Sequence, residues 1–377
     1  MTPDLGGTTA PLGHACFVEP PAIFVRHTAQ RQFIGPGTIM LPCGDILMAA
    51  PWGRPPTNIE ELEATAPVPR LCRSRDNGRT WDDDGLMTMQ WSVGGMISDG
   101  GISFLRLLDD RLMFTAHRHV RGLHGGGLPV VSYSGDDGVS WSDAAVTGTS
   151  EGVWYIMNER TIQTTSGRII VPASHMPRGT GSFEGDRNIG LCLYSDDGGQ
   201  SWRQSRRAAM LDDARGMAEP CVARMADGLL MLARTGSGWL YQSRSVDEGE
   251  TWSDPSPTSL RSPCAPLTLK TLPDKRLIVF YNHAQPLRPG AFFPRTPLCY
   301  SVSGDGGEHW DPPVIIDDTG AEARDRQCIY PAACWTPEGM LLLWSVHAAD
   351  PSGGFGDIGP ELRRAGGGKR AIVAYPS

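Results

Sequence analysis

The chain of 377 residues has a formal net charge of -8, with 40% hydrophobic and 20% charged residues. This composition is typical of a globular protein with a sizeable core and argues against disorder over most of the length. The negative charge also disfavours general binding to nucleic acid or to an anionic membrane surface, because such partners require a basic face.

The N-terminal segment lacks the basic start and the apolar stretch of a secretory signal peptide. No later segment approaches the roughly 18 apolar residues that are needed to span a bilayer. The nine cysteines are scattered and form no CxxC pair, so neither a disulfide framework nor a zinc ribbon is indicated. We therefore expect a cytoplasmic protein with reduced thiols, no cofactor and no metal.

The predicted elements are many short strands, because 46 glycines and 31 prolines interrupt brief apolar runs and helical periodicity is scarce. An octet of the form S-x-D-x-G-x-[T/S/H]-W occurs five times along the chain, at 74–81, 134–141, 195–202, 245–252 and 303–310. We expect each octet to be an outer hairpin turn in which Asp and Ser bind turn amides and Trp packs under the next sheet. The octet aspartates are therefore assigned to the fold and not to catalysis.

A second repeat, a polar or glycine turn followed by an apolar strand, alternates with the octets. It occurs six times, beginning at Asp45, Asp110, Gly167, Gly228, Lys275 and Gly339. Together the two repeats predict an all-β fold, a six-bladed β-propeller of four-stranded antiparallel sheets. Residues 350–369 are predicted to be loop, and a strand at 371–375 is expected to close the ring against 22–26, which makes 1–377 a single domain.

The phase of the repeats predicts which residues share one face of the ring, because the innermost strand starts where the second strand ends. Innermost strands are expected to begin near Pro36, Asp99, Asn158-Glu159-Arg160, Glu219, Cys264 and Tyr330. Second strands are expected to end near Trp52, His117, His175, Arg234, His283 and His347. A single histidine at a strand end is often a surface group; the common phase of the four favours a pocket.

These octets resemble the Asp-box repeats of the sialidase family, and the resemblance covers nearly the whole chain. The family has a glutamate followed after fifteen residues by an arginine, which matches Glu219 and Arg234 in EPCVARMADGLLMLAR. Its tyrosine matches Tyr330 in YPAACWTPEGMLLLW, and a further arginine matches Arg295 in RTPLCYSVSGDGGEHW. The resemblance implies an exo-acting glycosidase with Tyr330 as nucleophile, Glu219 as its base, and arginines that bind the carboxylate of an acidic sugar.

The chemistry accounts for these residue types. A guanidinium pairs bidentately with a carboxylate, and a neutral phenol avoids placing a second anion against the substrate. A phenol needs a neighbouring carboxylate to take its proton, and a tyrosine nucleophile is an exception to the two-carboxylate scheme of glycosidases. A buried Glu219–Arg234 ion pair beside a core Tyr330 is the structural alternative.

The chain departs from the family at two places. The arginine expected at the start of the first blade is absent, since that stretch is 34–39 with the sequence IGPGTI. Arg31, Arg26 or Arg160 could supply the charge. The acid/base aspartate also has no match before the first octet, where Glu60, Glu61 and Glu63 are available, and Asp99 is an alternative.

Two other functions remain open. A polysaccharide lyase or a non-sialic glycosidase would use histidine and tyrosine on a uronate-containing glycan, and the surplus of histidines favours it. A propeller that binds glycans without catalysis is the third interpretation. The expected partner is a glycan, and the sequence leaves the oligomeric state open.

Overall fold

The computed structural model describes residues 13–26, 35–51, 69–86, 101–119, 127–147, 152–176, 187–213, 215–318, 326–348 and 367–376. These ranges contain 26 strands and no α-helix. Within them, no helix is long and apolar enough to cross a membrane.

The strands form six blades, each built from four antiparallel strands that run from the inside outward. Blade 1 contains β3 (Gly37–Met40), β4 (Ile46–Pro51), β5 (Pro69–Ser74) and β6 (Asp82–Leu86). Blade 2 contains β7 (Ser103–Arg106), β8 (Leu112–His119), β9 (Gly127–Ser134) and β10 (Ala145–Val146). Blade 3 contains β12 (Ile162–Gln163), β13 (Ile169–Met176), β14 (Ile189–Ser195) and β15 (Arg203–Gln204). Blade 4 contains β16 (Ala218–Met225), β17 (Gly228–Arg234), β18 (Trp239–Ser245) and β19 (Ser256–Arg261).

Blade 5 contains β20 (Thr268–Thr271), β21 (Leu277–Asn282), β22 (Leu298–Ser303) and β23 (Val314–Asp317). Blade 6 contains β24 (Arg326–Thr336), β25 (Gly339–Ala348), β26 (Gly367–Val373) and, outermost, β2 (Phe17–Arg26). Strand β11 (Val153–Tyr155) pairs with β9 and β13 and links blades 2 and 3, and β1 (Gly13–His14) pairs in parallel with β23.

The ring closes where the sequence predicted, because β2 near the N-terminus pairs with β26 near the C-terminus. Ala22 pairs with Arg370 and Arg26 with Gly367. The expected strand limits at 371–375 were wrong, since the strand begins four residues earlier and ends at Val373. Gly367 and Gly368 were assigned to a loop because glycine is depleted in strands, but here the sheet pairing on both sides overrides that propensity.

The core consists of hydrophobic layers between neighbouring blades. In β4, Ile46 and Met48 face blade 6 while Leu47 and Ala49 face blade 2. In β25, Leu342 and Trp344 face blade 5 while Leu341 faces blade 1. A strand buried on both faces in this way has a continuous apolar sequence. Each of the six interfaces between adjacent blades is filled by one such cluster of described residues.

Each octet is the turn between the third and fourth strands, as predicted, and the first shows the pattern. Asp76 Oδ1 accepts the Thr80 amide at 2.8 Å, and Ser74 Oγ accepts the Gly78 amide at 2.8 Å. The expectation that the tryptophans pack under the next sheet was wrong. Trp141 of blade 2 lies in the layer shared with blade 1, and Trp252 of blade 4 lies in the layer shared with blade 3. The direction depends on the handedness of strand order around the ring, which the residue pattern does not contain.

Candidate active site

The start of the innermost strand and the end of the second strand lie at the same edge of each blade, as the repeat phase predicted. Ala218 pairs with Arg234 in blade 4, and Gln327 pairs with His347 in blade 6. In these two blades, the described residues that the phase selected therefore lie at the same edge of the sheet.

Glu219 and Tyr330 occupy the same kind of backbone irregularity in blades 4 and 6. Each is a non-glycine residue with a left-handed backbone, with φ of 46° at Glu219 and 51° at Tyr330. Each precedes a proline, and the sheet register shifts around it, between Ala218 and Cys221 and between Ile329 and Ala332. Such backbone costs about 1–3 kcal/mol and is concentrated at functional sites, and bulges redirect side chains. The dipeptides Glu219-Pro220 and Tyr330-Pro331 are the sequence signal for these bulges.

Glu219 forms a buried ion pair with Arg234. The distance from Arg234 Nη2 to Glu219 Oε1 is 2.5 Å, and the side chains are 4% and 5% exposed. Arg234 Nη1 also donates to the carbonyl oxygen of Cys264 at 2.9 Å. Burial opposes the charged form of Arg234, but the Glu219 carboxylate raises the pKa of this guanidinium above its ordinary value. The ion pair therefore fixes a guanidinium directly against the Glu219 carboxyl group.

The second carboxylate oxygen of Glu219 distinguishes this pair from a purely structural one. Glu219 Oε2 is buried and has no hydrogen-bond partner in the described part of the chain. A buried polar atom without a partner costs about 1–3 kcal/mol. An oxygen left in this state is suited to accept a proton or a ligand donor.

Arg295 brings a second cation close to Tyr330. Its side chain is fully buried, and its Nε donates to the Phe292 carbonyl oxygen at 3.0 Å. Burial lowers the pKa of Arg295 to about 10, an effect opposed by the Tyr330 phenol and the Glu219 carboxylate. The guanidinium thus stays charged at neutral pH. Tyr330 also raises the pKa of Arg234, so the phenol lies within electrostatic range of both arginines.

Arg215 is a residue that the sequence analysis missed. Its guanidinium lies 4.4 Å from the ring centroid of Phe292, while those of Arg234 and Arg295 lie 5.7 Å and 6.0 Å from the same ring. Its Nη2 donates to the Gly290 carbonyl oxygen at 3.2 Å. Three buried or nearly buried cations thus surround one aromatic ring. Arg215 has no counterpart in the repeat, so the phase count did not find it; its place four residues before Glu219 was the available signal.

Cys264 begins the corresponding segment of blade 5, as the phase predicted. Its thiol is 1% exposed and lies within electrostatic range of Arg234, Arg215, Glu219 and Arg295. Burial raises the pKa of this thiol. Cys264 is therefore a neutral thiol at pH 7 and lacks the thiolate character of a nucleophile.

The four histidines lie at or near the second-strand ends, in different surroundings. His175 stacks on Trp154, with 4.2 Å between ring centroids. His283 Nδ1 lies 3.3 Å from the Tyr281 hydroxyl, and burial, with Arg261, lowers the pKa of His283. His347 is 3% exposed and lies opposite Gln327 in the sheet. His117 lies in β8, and its side chain is outside the described residues.

The predicted substitutes for the missing arginine lie in different places. Arg26 is exposed on β2, the outermost strand of blade 6. Three interstrand spacings of about 4.8 Å separate that strand from β24. A contribution of Arg26 to the charge of the site stays a prediction. Arg160 is 3% exposed, and its guanidinium faces the backbone carbonyls of Glu219, Pro220 and Leu267. Binding of substrate by Arg160 stays a prediction.

Several predicted residues fall outside the described ranges. They are Arg31, Glu60, Glu61, Glu63 and Asp99. The identity of the acid/base group stays a prediction for that reason. Among the residues that are described, no group of three or more His, Cys, Asp and Glu side chains is placed to hold a metal ion.

Comparison with known proteins places this site in a family. The model of the BNR repeat-like domain matches residues 104–343, which is more than half of the chain. The chain belongs to this family, within the sialidase superfamily. It is 31% identical over 236 residues to an anhydrosialidase of Macrobdella decora, covering 59% of this chain and 28% of that protein. It is 26% identical over 292 residues to a sialidase of Bacteroides fragilis, covering 66% of this chain and 49% of that protein. The matched region thus spans less than half the length of either relative.

Solved structures share the fold of this BNR repeat-like protein. A protein of unknown function from Dyadobacter fermentans superimposes with a TM-score of 0.70 at 18% identity, covering 96% of this chain and 99% of that one. An intramolecular trans-sialidase from Ruminococcus gnavus gives a TM-score of 0.63 at 15% identity, covering 94% and 98% of the two chains. The expected six-bladed, sialidase-like architecture is confirmed.

Proposed function

We propose that the protein is an exo-acting glycosidase that removes a terminal acidic sugar, sialic acid or a related acid. One observation carries the proposal: one oxygen of Glu219 contacts Arg234, the other has no hydrogen-bond partner among the described residues, and Tyr330 and Arg295 lie within electrostatic range. A carboxylate in that state is prepared to act as a base towards a phenol.

In the proposed reaction the Tyr330 oxygen attacks the anomeric carbon while the phenol proton passes to Glu219. The bond to the leaving oxygen breaks, and that oxygen takes a proton from an acidic residue, for which Asp99 and Glu60 are the candidates. Water then attacks the anomeric carbon of the tyrosyl sugar and gives a proton to the acidic residue, which is now a carboxylate. The bond to the tyrosine oxygen breaks, and the proton on Glu219 returns to that oxygen. The resulting hydrolysis retains anomeric configuration.

The arginines account for the acidic substrate. The guanidinium groups of Arg215, Arg234 and Arg295 lie around the ring of Phe292, and that of Arg234 also contacts the Glu219 carboxylate. Guanidinium groups bind a carboxylate bidentately. We therefore propose Arg234, Arg295 and Arg215 as the groups that select an anionic sugar.

Turnover of a fluorogenic sialoside tests the proposal. Release of the fluorophore by the protein, and its loss in Tyr330→Phe with unchanged thermal stability, would support it. Tyr300→Phe is a matched control because this tyrosine lies in the layer between blades 5 and 6. Absence of turnover on every acidic sugar tested would overturn it.

The second candidate is a lyase or a non-sialic glycosidase acting on a uronate-containing glycan. The observation that favours it is His283, whose lowered pKa keeps the imidazole neutral beside the Tyr281 hydroxyl. A neutral imidazole can abstract the proton next to a uronate carboxylate. Uronate oligosaccharides, followed by the absorbance of the unsaturated product, distinguish this chemistry from hydrolysis. Binding without either product would instead identify a glycan-binding propeller.

A further inference from the structure

Three consecutive residues of blade 3, Asn158, Glu159 and Arg160, immediately precede β12, the innermost strand of that blade. We call them the axial tripeptide. Their side chains are almost fully buried, with residue exposures of 1%, 4% and 3%. Glu159 has a left-handed backbone with φ of 59°, so three blades share this backbone at their inner edge.

The axial tripeptide is anchored to blades 1, 2 and 5. The Glu159 amide donates to the Ile102 carbonyl oxygen at 3.2 Å, and the Arg160 amide donates to Ser103 Oγ at 2.8 Å. The Glu159 carboxylate accepts Thr38 Oγ1 at 3.0 Å and pairs with Lys270 Nζ at 3.0 Å. These contacts fix the tripeptide itself and do not involve the bulges that carry Glu219 and Tyr330.

Arg160 holds the bulge of blade 4. Its Nη1 donates to the carbonyl oxygen of Glu219 and, at 3.3 Å, to that of Pro220. Its Nη2 reaches the Leu267 carbonyl oxygen of blade 5 at 3.0 Å. The planar fork thus joins two blades through the backbone of the candidate base.

Asn158 holds the bulge of blade 6 in the same manner. Its Nδ2 donates to the Pro331 carbonyl oxygen at 3.2 Å and to the Pro36 carbonyl oxygen of blade 1 at 3.4 Å. Thr268 Oγ1 donates to the same Pro331 oxygen at 2.6 Å. The two ends of one tripeptide therefore contact the two bulges that carry the candidate catalytic side chains.

We propose that Asn158 and Arg160 are positioning residues that set the separation and orientation of the Tyr330 phenol and the Glu219 carboxylate. The two bulges belong to blades 4 and 6, which are not adjacent, so a common anchor at the axis relates one directly to the other. Each bulge has an unfavourable backbone that only its surroundings maintain. An effect of these residues on the rate of sugar cleavage rests on the proposed function. Their effect on the placement of Tyr330 and Glu219 does not.

The expected effect falls on the chemical step. Misplacement of a reacting group by about 1 Å lowers a rate by about 10²-fold. Arg160→Met and Asn158→Leu are therefore expected to lower kcat on an acidic-sugar substrate about 100-fold with KM within about twofold. Arg160→Lys keeps the charge but not the fork, and we expect it to recover part of kcat.

Thr38→Val is the matched control, because it removes a buried contact of the axial tripeptide without touching either bulge. It is expected to lower thermal stability and to leave kcat within about twofold. If kcat falls in all the variants in proportion to their lost stability, or stays within twofold in both Arg160 variants and in Asn158→Leu, the proposal is overturned. Should Arg160→Met not fold, Arg160→Lys and Asn158→Leu decide.

Fluorine NMR of protein labelled with 3-fluorotyrosine gives a measurement that needs no turnover. The Tyr330 resonance is identified by its loss in Tyr330→Phe. We expect it to shift in Asn158→Leu and Arg160→Met and to stay in place in Thr38→Val. A shift in a protein that cleaves no acidic sugar supports the positioning role and refutes the proposed function alone. An unchanged resonance in an active enzyme refutes the positioning role alone.

Discussion

Glu219 Oε1 and Arg234 Nη2 lie 2.5 Å apart in a site where both side chains are almost fully buried. Residues 219–234 belong to the hairpin of β16 and β17, and that hairpin returns the arginine to the start of the innermost strand. A spacing in the sequence is thus converted by one β-hairpin into an ion pair at the mouth of the ring.

Replacing either member of this ion pair should lower the free energy of unfolding. Glu219→Gln leaves a buried guanidinium without its counter-ion, and Arg234→Met leaves a buried carboxylate, so each is expected to lower the free energy of unfolding by about 3 kcal/mol. The double variant should lose at least about 1 kcal/mol less than the sum. Urea denaturation of the four proteins measures the coupling, and additive losses would contradict an energetically coupled pair.

Arg295→Lys tests whether a guanidinium fork, and not charge alone, binds the sugar carboxylate. Lysine keeps the positive charge but lacks the bidentate geometry, so we expect KM for an acidic substrate to rise at least about tenfold with a smaller change in kcat. Arg276→Lys is the control, because this arginine pairs with Asp274 away from the mouth. Equal KM values for parent and Arg295→Lys would remove Arg295 from the carboxylate site.

Much of the fold could be predicted because its information is local and repeated. The octets and the apolar second strands such as β25 mark the same point in each blade, so phase alone predicted that Glu219, Arg234 and His347 lie at one edge. The direction of tryptophan packing and the start of β26 at Gly367 could not be derived. The first depends on contacts between neighbouring blades, and the second depends on pairing of β26 with β2 from the other end of the chain. No single repeat specifies either one.

The site was only partly predictable for the same reason. Arg215 lies in an irregular segment before β16, and its position is set by Gly290 and Phe292 of another blade. The contacts of Asn158 and Arg160 also run between blades. Their residue types suggest hydrogen bonding, but only the closed ring shows that the partners are backbone carbonyls of the two bulges.

In the third octet, Gly199 is required by space as well as by backbone conformation, and a comparison with Gly167 separates these effects. Gly199 and Gly167 have similar φ values of 92° and 96°, but a Cβ at Gly199 would lie 1.7 Å from the Tyr133 hydroxyl, whereas at Gly167 nothing lies within 4 Å. We expect Gly167→Ala to cost about 1 kcal/mol through strain, and Gly199→Ala about 3 kcal/mol or more through strain and overpacking. Thermal unfolding of both variants measures the difference; equal losses would contradict it.

The octet aspartates make the free energy of unfolding depend on pH in the acid range. A hydrogen bond from the Ser201 hydroxyl lowers the pKa of Asp197, and the His309 amide lowers that of Asp305 to about 2. An unfolded aspartate titrates near pH 4, so between that pH and the folded pKa the unfolded chain binds more protons. Stability from these groups is therefore present above about pH 4 and is lost as the pH falls towards 2.

Ser201→Ala removes one donor, so the urea midpoint of this variant should be lower at neutral pH and fall less steeply below about pH 4. If the urea midpoint falls with pH as steeply in this variant as in the parent, the Ser201–Asp197 hydrogen bond does not contribute to acid sensitivity.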